Sequence, residues 1–195
     1  MIVKNFELYD GAILQDRFAY EYFRDKVLRT GNIIAGVSPA KVEVEYMVDK
    51  QDVLDGDFIY SDKMMHFLIE IPDIDLYAGV CVQRVFNSII ANILASKYLQ
   101  CDIEVDGDDI FVHKEFTNGG IVQQRGKCSV SIAKYCNGAV LIHTGINISA
   151  GKRAPAFAYS TNLTDEQAEA FMKDCIEAFY ATSIDIWLAT TKIIK

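Results

Sequence analysis

Prolines are scarce: three in 195 residues (Pro39, Pro72, Pro155), far apart, so no proline-rich linker or stalk divides the chain. Cysteines number five (Cys81, Cys101, Cys128, Cys136, Cys175), an odd and scattered set. With no Cys-x-x-Cys pair among them, five reduced thiols are expected, not a zinc ribbon or a disulfide framework. The three histidines, His66, His113 and His143, lack the spacing of a zinc site, and no Gly-x-Ser-x-Gly nucleophile elbow is present. Basic residues are outnumbered, 19 Lys and Arg against 27 Asp and Glu, and no Lys/Arg run supplies a local patch. Counterion release, which drives non-specific nucleic-acid binding, therefore has little to act on, and no nucleic-acid partner is expected. A membrane span needs roughly 20 apolar residues, and Arg84 and Asn92 interrupt the best candidate. Met1 to Glu7 lacks the apolar core of a signal peptide, so a cytoplasmic location is expected.

What is present is a globular composition, 51% hydrophobic and 24% charged, of a length that suits one domain over residues 1–195. Ile2 to Leu8 reads as a short strand ended by Tyr9-Asp10-Gly11. Phe18, Ala19, Tyr22, Phe23 and Val27 keep helical spacing up to a stop at Gly31. Ile33-Ile34-Ala35 predicts a brief strand before a loop, Gly36-Val-Ser-Pro-Ala-Lys41, and Val42, Val44 and Tyr46 alternate as a half-buried strand. After a polar excursion over 49–62, a buried strand is expected at Met64 to Ile71. A long core helix then follows Pro72, with Asp73 or Asp75 as its N-cap.

The second half is rich in strands. Cys101 to Val105, the turn Asp106-Gly107 and Asp109 to His113 form one hairpin. Lys127 to Lys134, Cys136-Asn137-Gly138 and Ala139 to Ile148 form another. A loop from Gly151 to Ser160 precedes a helix opened by the capping box Thr164-Asp-Glu-Gln167, and Ser183 to Ile194 alternates as a final strand. The fold class expected is α+β, a mostly antiparallel mixed sheet with about three packed helices.

The acidic run Asp102, Glu104, Asp106, Asp108, Asp109 only partly fits a calcium loop: His113 stands where the final Glu belongs, and the flanks alternate as strands. That leaves a solvated edge, or a turn in which Asp108 and Asp109 hold magnesium or organise a phosphate-bearing ligand. His66 lies in an apolar strand, as a core histidine or a ligand contact, and His113 and His143 are possible neighbours on the sheet. In Arg125-Gly126-Lys127, the lysine stands at a strand's entry and the glycine allows close approach of a ligand, unless this is an ordinary surface lysine.

The order of these pieces resembles the catalytic domain of biotin and lipoyl protein ligases. It runs from a long helix to Ile103-Glu-Val-Asp-Gly-Asp-Asp109-Ile110, then Gly126-Lys127, then Val140-Leu-Ile-His-Thr-Gly-Ile-Asn147-Ile148. End to end, the chain resembles a mainly archaeal family described as domain of unknown function 366. The match is carried by Tyr9-Asp-Gly-Ala-Ile-Leu14, Glu45-Tyr-Met-Val-Asp49, Met65-His-Phe-Leu-Ile-Glu70 and Gly107-Asp-Asp-Ile-Phe-Val112. The fold implied is the one those ligases share with class II aminoacyl-tRNA synthetases.

By resemblance, Lys127 grips a carboxylate and an adenylate phosphate, and Asp109 with Asp108 replaces the ligases' Asn-Asp pair. Asn147 lies beside the nucleotide, and Arg125, Gly126, His66, His143 and Gly145 surround the ligand. The implied function is a carboxylate-activating or acyl-transferring ligase or transferase using ATP and magnesium or an activated acyl donor, with an acceptor protein and a homodimer paired through a strand edge as further expectations. The ligases' arginine-rich adenylate loop is replaced by Gly36 to Lys41, with one cation, and no counterpart of their C-terminal cap domain is expected. Acyl transfer without ATP would make Cys128 the nucleophile, its pKa lowered by Lys127. Other readings are a non-catalytic small-molecule or nucleotide-binding module, a hydrolase, and a metal-dependent nucleotide enzyme.

Overall fold

The computed structural model describes residues 7–118 and 120–193. In chain order the elements are α1 (Ala19–Phe23), β1 (Asn32–Val42), α2 (Lys50–Asp55), β2 (Ile59–Pro72), α3 (Leu76–Ile93), β3 (Asp102–Asp106), β4 (Asp109–Asn118), β5 (Ile121–Lys127), β6 (Ser129–Cys136), β7 (Ala139–Ser149) and α4 (Asp165–Thr191). Every strand pairing within the sheets is antiparallel. One sheet runs β1-β2-β7-β6 and the other β3-β4-β5, so the architecture is the α+β class that the element pattern predicts.

Alternation along β2 and β7 divides the larger sheet into two faces. Met65, Phe67, Ile69 and Ile71, with Val140, Ile142, Ile146 and Ile148, meet Phe86 and Ile90 of α3 and Phe171 and Phe179 of α4 in the main core. Phe67 and Phe86 stack edge to face at 5.4 Å, and Phe86 and Phe179 at 5.7 Å. Met64, Leu68 and Leu141 face the other way, into a smaller cluster with Tyr9, Leu14 and Phe18. On that face Glu70 is buried and accepts the backbone N–H groups of Phe18 and Ala19 at 2.7 and 2.8 Å, which fixes the first turn of α1.

Helix α3 starts at Asp75, whose side chain accepts from the Ala78 N–H, and a π turn, Leu94–Leu99, extends it. By length and composition the stretch Leu76–Leu99 could cross a membrane, so Arg84 and Asn92 do not disqualify it as the sequence reading expects. In this fold Phe86, Asn87 and Ile90 of that helix are buried against the sheet. Thr164 and Gln167 form the predicted capping box of α4.

Several expectations are corrected. Ser183 to Ile194 is not a strand: α4 continues through it to Thr191, because no Gly or Pro stops the helix. Gly36 to Lys41 is not a loop but part of β1, and Pro39 is accommodated at the register shift between Ser38 and Ala40 of an edge strand. The strand expected over Val42 to Tyr46 ends at Val42 and gives way to a 3-10 turn, Val44–Tyr46. The expected helix around Phe18 to Val27 is only α1 with a following 3-10 turn, Arg24–Lys26. Lys127 does not open the strand expected over Lys127 to Lys134: it ends β5, which the sequence pattern does not predict, and β6 begins at Ser129. Of the strand expected over Ile2 to Leu8, residues 2–6 lie outside the described residues, and Glu7 and Leu8 are not in a strand.

Candidate functional site

One residue, Cys128, separates β5 from β6 and carries the chain from the smaller sheet into the larger. Its N–H donates to the Ile110 carbonyl of β4 and its carbonyl accepts from the Asn147 N–H of β7, both at 2.9 Å. The Ser129 hydroxyl accepts from the Ile110 N–H at 2.8 Å. This seam fixes Lys127 at the junction of the sheets. The loop after β7 grips it from outside, with the Lys127 N–H donating to the Phe157 carbonyl and the Tyr159 N–H donating to the Lys127 carbonyl.

A cavity of about 560 Å³, within the ordinary range for small-molecule sites, opens at the seam. Its floor is the non-helical face of β6 and β7, and its walls are the segment around Tyr9, the stretch from Tyr46 through α2 to Tyr60, and the β3–β4 turn. Of the expected site residues, Lys127, Asp108, Asp109, Asn147 and His143 line it. Lys127 Nζ stands 2.7 Å from Asp109 Oδ1, both side chains under one-third exposed. Helix α3 holds Asp108: Asn87 donates to its carbonyl at 2.8 Å, and Arg84 approaches its carboxylate at 3.6 Å.

Asn147 is 5% exposed, and its Oδ1 has no hydrogen-bond partner. Burying an amide oxygen unpaired is costly, so a donor brought to this atom would be stabilised. Its backbone is held firmly: the carbonyl accepts from both the N–H and the hydroxyl of Thr161, at 3.0 and 2.7 Å.

Below the floor runs a buried polar chain. His143 Nε2 and His66 Nδ1 are 3.1 Å apart, His66 Nε2 and Ser38 Oγ are 3.1 Å apart, and Tyr9 stacks on His143 with ring centroids at 3.9 Å. Burial pushes the pKa of His66 down to about 4, partly offset by its hydrogen bond with the Ser38 backbone. Burial and then the neighbouring His66 hold His143 well below the ordinary histidine range, and burial followed by Asp10 raises Tyr9. All three are neutral at pH 7.

The other expected residues fall elsewhere. His66 lies behind His143 and does not line the cavity. Arg125 turns outward, stacking on Phe111 at 3.4 Å and pairing with Glu104 at 2.9 Å. Gly126 and Gly145 serve packing: an added Cβ would come within 2.5 Å of the Phe116 ring and 2.3 Å of Met64 Sδ, respectively. His113 is not beside His143; it is on the other sheet, 2.8 Å from Glu104. Cys128 is no nucleophile. It is buried in the main core, and burial pushes its pKa up to about 12, the reverse of the lowering expected from Lys127.

Sequence reasoning missed Tyr9, Tyr46 and the aspartates of the α2 region. Asp49, Asp52 and Asp57 line the cavity with Asp108 and Asp109, five carboxylates against one cationic side chain among the described lining residues. Asp52 titrates above the usual range, through burial first and then repulsion from Asp49, with Lys127 opposing.

Magnesium would need available oxygen ligands. Asp109 is committed to Lys127 and Asp108 faces Arg84, and among the described residues no group of three or more His, Cys, Asp or Glu could hold a metal ion. A triphosphate would meet mainly carboxylates, and the segment in the place of the adenylate loop is paired in β1. The residues present do not fit ATP with magnesium.

The chain resembles several solved structures. A protein of unknown function from Pyrococcus horikoshi superposes with a TM-score of 0.82 at 23% identity, over 100% of this chain and 97% of that one. A biotin protein ligase from Aquifex aeolicus, in complex with biotin and ATP, gives 0.58 at 10% identity, covering 93% of this chain and 69% of that one. Protein Ta0514 from T. acidophilum with bound lipoic acid gives 0.56 at 12% identity, over 92% and 84%. At these identities the likeness establishes the fold, that of biotin and lipoate protein ligases, which the sequence resemblance implied. No curated protein matches the chain in sequence. The family described as domain of unknown function (DUF366) matches residues 1–194, and the chain belongs to it.

Proposed function

We propose that this chain binds a small-molecule carboxylate in the cavity at the seam, with Lys127 as its anchor. The observation that carries this reading is the Lys127–Asp109 pair at 2.7 Å, under one-third exposed, on the wall of the cavity. An ammonium held by one carboxylate oxygen retains donors for a second, and in a partly desolvated site such a charge-assisted bond is strong. The neutral His143 adds polar surface without charge, and Tyr9 and Tyr46 supply walls for an apolar body.

Calorimetric titration with short- and medium-chain acids, biotin and lipoate included, is expected to give saturable binding that Lys127→Ala weakens about tenfold or more. Unchanged affinity in that variant would remove the lysine from its role.

A second reading, activation of the bound carboxylate, is favoured by the fold shared with the ligase solved with biotin and ATP. It requires ATP–pyrophosphate exchange dependent on a carboxylic acid. The electrostatics of the cavity predict no exchange, and exchange with any acid in the panel would establish activation instead.

A further inference from the structure

We infer that the carboxylate bound here also carries a protonated amine, so that the cavity takes an amino-acid-like zwitterion. The inference rests on the carboxylate-binding reading and adds the second charge. Two independent observations lead to it. The first is charge: the α2 side of the cavity presents Asp49, Asp52 and Asp57, and neither Asp52 nor Asp57 has a salt-bridge partner among the described residues. Asp49 caps α2 through Oδ1, leaving Oδ2 for other contacts. The second is the unpaired, buried Asn147 Oδ1, on a different element and uncharged, which accepts hydrogen bonds only.

A simple monocarboxylate would meet Lys127 and leave both features unanswered. Its anionic group would be surrounded by four further aspartates besides Asp109, with nothing to offset them. An ammonium elsewhere on the same molecule supplies the missing charge, and N–H groups of the ligand can satisfy Asn147. Tyr46 and Phe58 add aromatic surface beside the aspartates, which suits a cation and the methylenes next to it. A divalent metal would offset charge equally well, but no three-ligand group is available among the described residues.

The test uses matched ligands: a series of amino carboxylates of increasing chain length, the same acids without the amine, and the same amines without the acid, each titrated calorimetrically into the full chain. At least one amino acid in the series is expected to bind about tenfold tighter than its deaminated partner. Asp52→Asn and, separately, the more exposed Asp57→Asn are expected to shrink that ratio by weakening the amino acid, while the plain acid binds as tightly or tighter with one opposing carboxylate removed. Lys127→Ala is expected to weaken both ligands. If plain acids bind as tightly as their amino counterparts, the inference fails and the carboxylate reading stands. If amines bind without a carboxylate and Lys127→Ala has no effect, or if nothing binds, both fail. If magnesium or calcium stabilises the protein and the amino acids do not, the aspartates form a cation site and the inference is overturned.

Discussion

Lys127 and Cys128 are adjacent in the chain and opposite in character. The lysine lines the cavity; the thiol, pointing to the other side of the seam, is buried among core side chains and held protonated by that burial. Alkylation of the folded protein with iodoacetamide is therefore expected to label the exposed Cys81 and spare Cys128. Peptide mass spectrometry reads this directly, and rapid modification at Cys128 would contradict its burial. The alternation of side chains at a strand boundary was the signal that could have separated the two residues, since neighbours on an extended chain face opposite ways. That Lys127, Asp109 and Asn147 line one cavity follows the resemblance, although Lys127 ends a strand where the pattern has it open one. Tyr9, Asp49 and Asp52 were not legible. They reach the cavity from segments remote in sequence, and a half-buried aspartate in a polar stretch carries no local mark of what it faces.

At the scale of elements, a tight packing constraint lies where α3 crosses β7. A Cβ at Gly79 would come within 2.4 Å of the buried Val140 side chain. Gly79→Ala gains about 1 kcal/mol of helix propensity but forces the helix off the sheet, and overpacking of this kind costs about 1–3 kcal/mol. The clash should win, so a net loss of stability is expected in urea titration; a more stable variant would mean that the interface yields. The same helix was legible from its three-to-four-residue period, and β2 and β7 from their apolar runs. Elements went astray where local cues conflicted. Ser183 to Ile194 alternates and is rich in β-branched residues, yet it follows an uninterrupted helix whose propagation costs less than a new strand without a sheet edge to pair with. Consequently Ile184, Ile186, Trp187 and Leu188 remain exposed on α4. In β1, Gly36 and Pro39 suggested a loop, but an edge strand with a register shift needs no donor at the proline.

Across the whole molecule, stability should depend on pH through the buried histidines. With the folded pKa of His66 near 4 against 6.5 when unfolded, the unfolded chain binds more protons below pH 6.5. Its stabilising contribution is therefore complete above about pH 6.5 and is lost as the pH falls through 4, on the order of 3 kcal/mol for this one group. His143 acts in the same direction. The fall in net charge from -8 towards the pI near 4.9 opposes the loss by relieving self-repulsion, so the comparison must be made against a variant. The urea midpoint is expected to drop between pH 6.5 and 4, and to drop less in His66→Asn. Equal slopes in the two proteins would mean that this imidazole is not kept neutral by the fold.

The joint at Cys128 has a mechanical consequence. The two sheets are stitched there by the hydrogen bonds of Cys128 to Ile110 and Asn147 and of Ser129 to Ile110, and the groups facing the cavity belong to both halves, Lys127 and Asp109 to one and Asn147 to the other. A guest touching all three acts as a rivet. It adds a further bridge between the two sheets, so filling the hollow should slow amide exchange at the stitch as a direct gauge of occupancy.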